Sequence, residues 1–159
     1  MEKETLLLGN PALYEVSREV APEELPQMTQ LREDLRDTLL AFRRRYGRGR
    51  AIAAPQIGVK KRVIYRHLDT PVLLINPVLL FPKEDDMELW DDCMSFPGLY
   101  VRVKRRRRCT VLYRDEQWKE CRMELEGAMA ELIQHEYDHL DGILATMRAL
   151  DDHSLAMRP

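Results

Sequence analysis

Apolar residues recur at helical spacing in the first third of the chain. They are Leu25, Met28, Leu31, Leu35, Leu39 and Phe42. Intervals of three and four residues place such positions along one face, so the spacing predicts an amphipathic helix of about 20 residues. Arginines at positions 43–45 followed by Gly47 mark its end, since cations and then glycine are favoured at a helix C-terminus.

Shorter apolar runs bounded by turn residues follow this helix and predict strands. The predicted strands are residues 62–66, 72–75, 78–81 and 87–90, with a hairpin of 101–113 and 118–125 turning at Asp115-Glu116. Residues 48–58 are predicted to form a loop rich in Gly, Ala and Pro. Asn76-Pro77 is predicted to interrupt the second strand.

A second helical pattern lies near the C-terminal end. Its apolar positions are Leu125, Met129, Leu132, Ile133 and Leu140, and Gly142 marks the predicted stop. Several strands followed by a helix predict an α+β fold. A length of 159 residues suits one domain with one core, here residues 1–159.

Composition is that of a globular protein, with 45% apolar and 33% charged residues. A net charge of -2 supplies no field that would attract nucleic acid. Four consecutive arginines, 105–108, would point alternately to opposite faces of a strand, so we expect no direct nucleic-acid readout. Without a signal sequence or a membrane-length apolar run, we expect a cytoplasmic protein that does not contact a membrane.

The second helix carries the candidate chemistry, His135-Glu136-Tyr137-Asp138-His139. Two histidines four residues apart lie about 40° apart around a helix, so both rings can reach one metal ion. Glu136 lies on the same flank, where a carboxylate can handle a proton of metal-bound water. The pattern predicts a catalytic metal site but does not name the third ligand.

Several residues compete for the position of third ligand. His153 follows His139 in the tail, and three cysteines precede the histidines. Cys109 and Cys121 lie in the predicted hairpin and are expected to be ordinary strand residues. Cys93 lies in an irregular segment, which can aim both a thiolate and a backbone N–H at one point. An odd number of cysteines argues against a disulfide framework and leaves thiols available for metal.

Three motifs in order resemble those of the peptide deformylases. The family's Gly-x-Gly-x-Ala-Ala-x-Gln is matched by residues 49–56, Gly-Arg-Ala-Ile-Ala-Ala-Pro-Gln. Its Glu-Gly-Cys-x-Ser is matched by residues 91–95, Asp-Asp-Cys-Met-Ser, and its His-Glu-x-Asp-His by residues 135–139. The resemblance covers nearly the whole chain and implies small mixed sheets packed around a central metal-binding helix.

The resemblance also implies roles for individual residues. One divalent ion would be bound by Cys93, His135 and His139. The ion expected from the resemblance is Fe²⁺, with Zn²⁺ or Ni²⁺ as substitutes. Glu136 would move the proton, and the formyl oxygen would accept hydrogen bonds from the Gln56 side chain and the Met94 backbone N–H.

The resemblance gives other residues supporting roles. Arg105 matches an arginine that contacts the substrate backbone. Asp138 is expected to be structural, as a carboxylate that can hold the tautomer of a liganding imidazole.

Departures from the motifs fall at the expected substrate cleft. Ala51 replaces the second glycine of the first motif, and Asp91-Asp92 replaces Glu-Gly in the second. A methyl group at Ala51 would narrow the cleft, and Asp92 would add a carboxylate beside it. Little chain follows Leu150, so at most a weak ribosome contact is expected of an enzyme whose partner is a formylated peptide or nascent chain.

Three functions remain open at this point. The first is a deformylase that removes the formyl group from formyl-methionyl peptides and releases formate. The second is a related hydrolase acting on another formyl- or acyl-amide, and the third is a catalytically weak metal-binding protein kept for interaction. Formate release separates the first from the others. An endopeptidase is disfavoured because Cys93 supplies the ligand that a protease would take from downstream.

Overall fold

A computed structural model describes residues 1–158, which form two α-helices, eight strands and short 3₁₀ turns. The helices are α1 (Leu25–Tyr46) and α2 (Ala128–Leu140). The strands are β1 (Ala51–Ala53), β2 (Val63–Arg66), β3 (Val72–Leu80), β4 (Asp86–Asp91), β5 (Leu99–Arg106), β6 (Arg108–Arg114), β7 (Glu120–Glu126) and β8 (Leu155–Met157). None of the helices in this range has the length and apolarity needed to cross a membrane.

The strands form two sheets, one of five strands in the order β1-β2-β3-β6-β7 and one of three in the order β4-β5-β8. The α+β class is confirmed. Every strand pair that the structure describes within these sheets is antiparallel. Many of the pairs join strands linked by short turns, and such connections can make only antiparallel neighbours.

The two helices cover opposite faces of the larger sheet. The predicted apolar face of α1 is buried, and Leu35 and Leu39 pack in one core cluster with Val63 and Tyr65 of β2. Ile64, between those two, points to the other face and packs in a second cluster with residues of α2. The period-two alternation of β2 thus lets one strand hold both helices in place.

The predicted long strand at 101–113 is divided between the two sheets. β5 ends at Arg106 and pairs with β4, whereas β6 begins at Arg108 and pairs with β7. Arg107 lies at the break, where its N–H donates to Asp85 and its carbonyl accepts from Gly127. The prediction was wrong because a strand that changes sheets keeps the same polar–apolar alternation, so local pattern does not reveal the change.

Three further boundaries differ from the predictions. The predicted loop at 48–58 contains β1 and a 3₁₀ turn, Ala54–Ile57. β3 continues through Asn76-Pro77 with a register shift, because the Asn76 side chain bonds the Val20 N–H and carbonyl, each at 2.8 Å. Leu125 belongs to β7, and α2 starts only at Ala128.

Candidate active site

The helix α2 runs between the two sheets and brings the histidines to the loop that follows β4. The His135 and His139 rings lie one turn apart, with centroids separated by 5.1 Å. Cys93 Sγ lies 3.3 Å from His139 Nε2. One donor atom from each of these three buried residues lies within 4.8 Å of the other two. The structure therefore brings together the three residues that the motifs named as ligands.

This cluster fits a divalent metal ion. One thiolate and two imidazole nitrogens are ligands suited to zinc and iron-type ions, and three protein ligands leave a coordination position for chemistry. Glu136 Oε2 and His139 Nδ1 are buried without a hydrogen-bond partner among residues 1–158. An orphaned carboxylate oxygen is costly unless something in the site contacts it. This arrangement is typical of a site built to receive a ligand.

Asp91 orients His135. Its Oδ2 lies 2.8 Å from His135 Nδ1 and accepts a hydrogen bond from Arg105 Nη2 at 3.0 Å. Burial alone would raise the Asp91 pKa, but His135 and Arg105 outweigh it and hold that pKa well below its usual range. A charged carboxylate at Nδ1 leaves the other ring nitrogen, Nε2, free to bind a metal.

Asp138 does not perform the orienting role expected of it. Its carboxylate accepts from Arg105 Nη1 at 2.6 Å and from Arg148 at 2.5 and 2.9 Å. The residue that holds the imidazole is Asp91, two positions before Cys93. Asp138 therefore has a structural role through its ion pairs and does not hold an imidazole, because adjacency in sequence to His139 does not decide which side of α2 a neighbouring side chain faces.

Arg105 lies behind the metal ligands rather than at the substrate cleft. Its side chain is 3% exposed, and its guanidinium is held between Asp91 and Asp138. A buried guanidinium must be paired, and these two carboxylates occupy it. The expected contact with a substrate backbone is therefore replaced by a structural ion-pair network.

Gln56 presents its amide nitrogen to the cluster. Its Oε1 accepts from the Ala53 N–H at 2.9 Å, which identifies the oxygen end of the amide because a backbone N–H can only donate. Its Nε2 then lies 3.5 Å from Cys93 Sγ and 3.1 Å from Ser95 Oγ. Sequence reasoning did not single out Ser95, although it belongs to the same motif as Cys93.

A cleft of about 340 Å³ opens on this cluster. Among its lining residues are Ala51, Asp92, Cys93, Met94, His135 and Glu136. Burial raises the pKa of Glu136 to about 7, so this carboxyl can take up or release a proton near neutral pH. The cleft wall thus includes most residues named from the motifs, whereas Gln56 and His139 adjoin it through Cys93 and Arg105 lies outside it.

The two departures at the cleft have different consequences. Ala51 lines the cleft from β1, where its extended backbone requires no positive φ. Asp92 lies at the cleft with its side chain 37% exposed, and its Oδ2 is 3.3 Å from Arg48 Nε. Its partner is therefore an arginine from the segment before β1.

Sequence reasoning missed a second ion pair in the cleft. Arg50 Nη2 donates to Glu131 Oε2 at 3.0 Å. The available signal was a carboxylate one turn before His135, at a helix position that the fold buries.

Replacing Asp91 by asparagine is expected to destabilise the fold by about 3–5 kcal/mol, because it leaves the buried Arg105 without one of its charges. Metal affinity should fall by about 10–100-fold as His135 loses its orienting carboxylate. Urea unfolding and a chelator competition measure the two effects. Asp86→Asn on the same strand removes only an exposed pair with Arg106 and should change either value little. Equal effects of the two substitutions would contradict the role given to Asp91.

Comparisons with known proteins agree with this geometry. The polypeptide deformylase family model matches residues 3–154. Peptide deformylase 1 of Prochlorococcus marinus (strain MIT 9313) is 39% identical over 164 positions, covering 96% of this chain and 83% of the relative. The crystal structure of peptide deformylase from Thermotoga maritima superposes with a TM-score of 0.86 at 28% identity, covering 95% of this chain and 99% of that one.

A Met-Ala-Ser-bound class I type b peptide deformylase from Acinetobacter baumannii superposes with a TM-score of 0.83 at 27% identity, covering 93% and 98% of the two chains. Matches of this extent reach both sheets, both helices and the cleft. The chain belongs to the peptide deformylase family, hydrolytic enzymes that remove the N-formyl group from nascent peptides.

Proposed function

We propose that this chain hydrolyses formyl-methionyl peptides and nascent chains through the cleft at Cys93, His135 and His139, releasing formate and a free N-terminus. The observation that carries the proposal is the cluster of one thiol and two imidazoles beside the oriented Gln56 amide, at a cleft lined by Cys93, His135 and the buried Glu136 carboxyl. These are the parts that amide hydrolysis assisted by a metal requires.

Cys93, His135 and His139 would hold one divalent ion. Fe²⁺ is the ion we propose, with Zn²⁺ or Ni²⁺ as substitutes, because a thiolate with two imidazoles suits each of these ions. When bound, the ion supplies Lewis acidity, which polarises the formyl carbonyl and lowers the pKa of water. Asp91 would keep His135 in the tautomer that can bind it.

Gln56 and Met94 would stabilise the formyl oxygen as negative charge develops on it. The Gln56 amide nitrogen is held toward Cys93 by the bond between its oxygen and the Ala53 N–H, so this donor already faces the cluster. The Met94 backbone N–H follows Cys93 directly. Glu136 would accept a proton from the attacking water and deliver it to the leaving amine. Ala51 and Asp92 would contact the substrate from the cleft wall.

The direct test measures formate release from formyl-Met-Ala-Ser by protein loaded with Fe²⁺ under anaerobic conditions, or with Ni²⁺. We expect one formate per peptide cleaved. Release of formate only from other formyl-amides would favour the related hydrolase. Metal binding without formate release from any of these substrates would favour the catalytically weak homologue.

We also infer that residues 1–159 act as one domain in the cytoplasm. Support for one domain comes from α2, whose contacts reach strands of both sheets. Nascent chains are produced where translation occurs, which supports the location. A weak ribosome contact stays a prediction, and co-sedimentation with ribosomes at low salt would test it.

Asp92→Gly is expected to raise kcat/KM on a neutral formyl-methionyl peptide, because it removes bulk from the cleft wall. It also leaves Arg48 without its partner, so relative kcat/KM should shift a few-fold toward peptides with an acidic second residue. The shift should shrink with salt, since exposed pairs contribute about 0.2–1 kcal/mol. Kinetics on peptides with Lys, Ala or Glu after formyl-methionine measure both effects.

Asp92→Asn is the matched control, because it removes the charge and keeps the bulk. This variant should show the same change in charge preference as Asp92→Gly, but its kcat/KM on the neutral peptide should not rise. If neither substitution alters rate or preference, the Asp92 side chain does not contact the substrate.

A further inference from the structure

Two ion pairs cross the cleft, and both arginines come from the segment 48–50 that leads into β1. The outer pair is Arg48–Asp92 and the inner pair is Arg50–Glu131. The backbone of the segment is anchored by Arg43, whose guanidinium donates to the Gly49 carbonyl at 3.0 and 2.8 Å. The two arginines are therefore held at defined positions on the cleft wall.

The inner pair presents its cationic side to the cleft. The Glu131 side chain is 7% exposed, whereas that of Arg50 is 38% exposed. Arg50 uses Nη2 for Glu131 and Nη1 for a long contact of 3.4 Å with the Ala128 carbonyl. A guanidinium has five N–H donors, so Arg50 keeps donors for a further acceptor.

The inner pair lines the same cleft as Cys93, His135 and Glu136. In the proposed reaction the formyl group lies beside Gln56 Nε2 and Glu136. The side chain of the formylated residue branches from the carbon next to the amide nitrogen, so it occupies the same cavity. Glu131 lines that cavity one helical turn before His135, next to Leu132. The wall is thus partly apolar and partly an ion pair.

Resting on the proposed function, we propose that the Arg50–Glu131 pair is a specificity determinant. It favours a formylated first residue whose side chain carries a hydrogen-bond acceptor, such as methionine sulfoxide, over an apolar side chain of similar length, such as norleucine. An apolar side chain displaces water from the Arg50 guanidinium and supplies no hydrogen-bond acceptor to replace it. A sulfoxide oxygen accepts from the guanidinium and replaces that water.

The test measures binding of three peptides by calorimetry to protein loaded with Ni²⁺. The peptides are Met-Ala-Ser and its analogues with methionine sulfoxide or norleucine in first place. We expect the wild-type Kd for the sulfoxide to be about five- to tenfold lower than for norleucine, as one net hydrogen bond allows. In the double variant Arg50→Leu/Glu131→Leu this preference should disappear. Removing both charges avoids leaving either one buried and unpaired.

Arg32→Leu/Glu116→Leu is the matched control, because that ion pair joins α1 to the turn after β6 and does not line the cleft. It should keep the wild-type preference. If Arg50→Leu/Glu131→Leu fails to fold, Arg50→Lys is the second variant. It keeps the charge but loses the planar donors of the guanidinium, so the preference for the sulfoxide peptide should shrink.

The proposal would be overturned if the wild type bound the norleucine peptide as tightly as the sulfoxide peptide, or more tightly. It would also be overturned if the variants at Arg50 and Glu131 kept the full wild-type preference for the sulfoxide peptide. Formate release from the three formylated peptides is assayed in parallel. Absence of formate from all three would contradict the proposed function, whereas the ratio of the dissociation constants tests the inference by itself.

Discussion

Glu136→Gln is expected to lower kcat on formyl-Met-Ala-Ser by about 10²–10⁴-fold and to leave the metal bound. This range is the typical contribution of a general acid–base group. The substitution keeps the shape of the side chain but removes its ability to take a proton. Glu136 is 4% exposed, and its Oε2 has no partner within the described residues 1–158, so no fold-stabilising bond to that oxygen is lost.

Steady-state kinetics and metal analysis on the same preparation measure this prediction. Glu124→Gln is the control, because Glu124 lies exposed on β7 and does not line the cleft, and it should leave kcat unchanged. Near-normal turnover by Glu136→Gln would mean that another group moves the proton. Loss of metal would mean that Glu136 helps to build the site.

Cys93→Ala, His135→Ala and His139→Ala are each expected to lose tightly bound metal and with it all formate release. Three protein ligands are typical of a catalytic site, so removal of any one leaves only two protein donors to hold the ion. Metal content is measured by mass spectrometry after dialysis against a weak chelator. Full occupancy in Cys93→Ala would refute the assignment of the thiolate.

Cys109→Ala is the matched control for the thiol. Cys109 is buried in the core between β3 and α2, and burial raises its pKa to about 11. A thiol with that pKa stays protonated near neutral pH and is a poor metal ligand. The variant should keep its metal, and any loss of stability should come only from packing.

The sequence predicted elements whose cause is local. The buried face of α1 was predicted from intervals of three and four residues, because a helix repeats every 3.6 residues whatever surrounds it. The β6–β7 hairpin was predicted from its turn at Asp115-Glu116. Two histidines one turn apart are brought together by helix geometry alone. The proposed metal ligand Cys93 was named by its irregular segment and by the motif order.

Contacts between distant segments were decided only by the tertiary structure. Arg105 is buried between Asp91 and Asp138 because β5 packs against α2. The spacing of apolar residues in the sequence does not predict that packing. Arg50 and Glu131 are 81 positions apart, and only the fold makes them partners across a cleft. Local spacing predicts which face a side chain occupies. The identity of the opposing surface depends on how the sheets and helices assemble, and this decides whether a charge becomes a structural pair or part of a site.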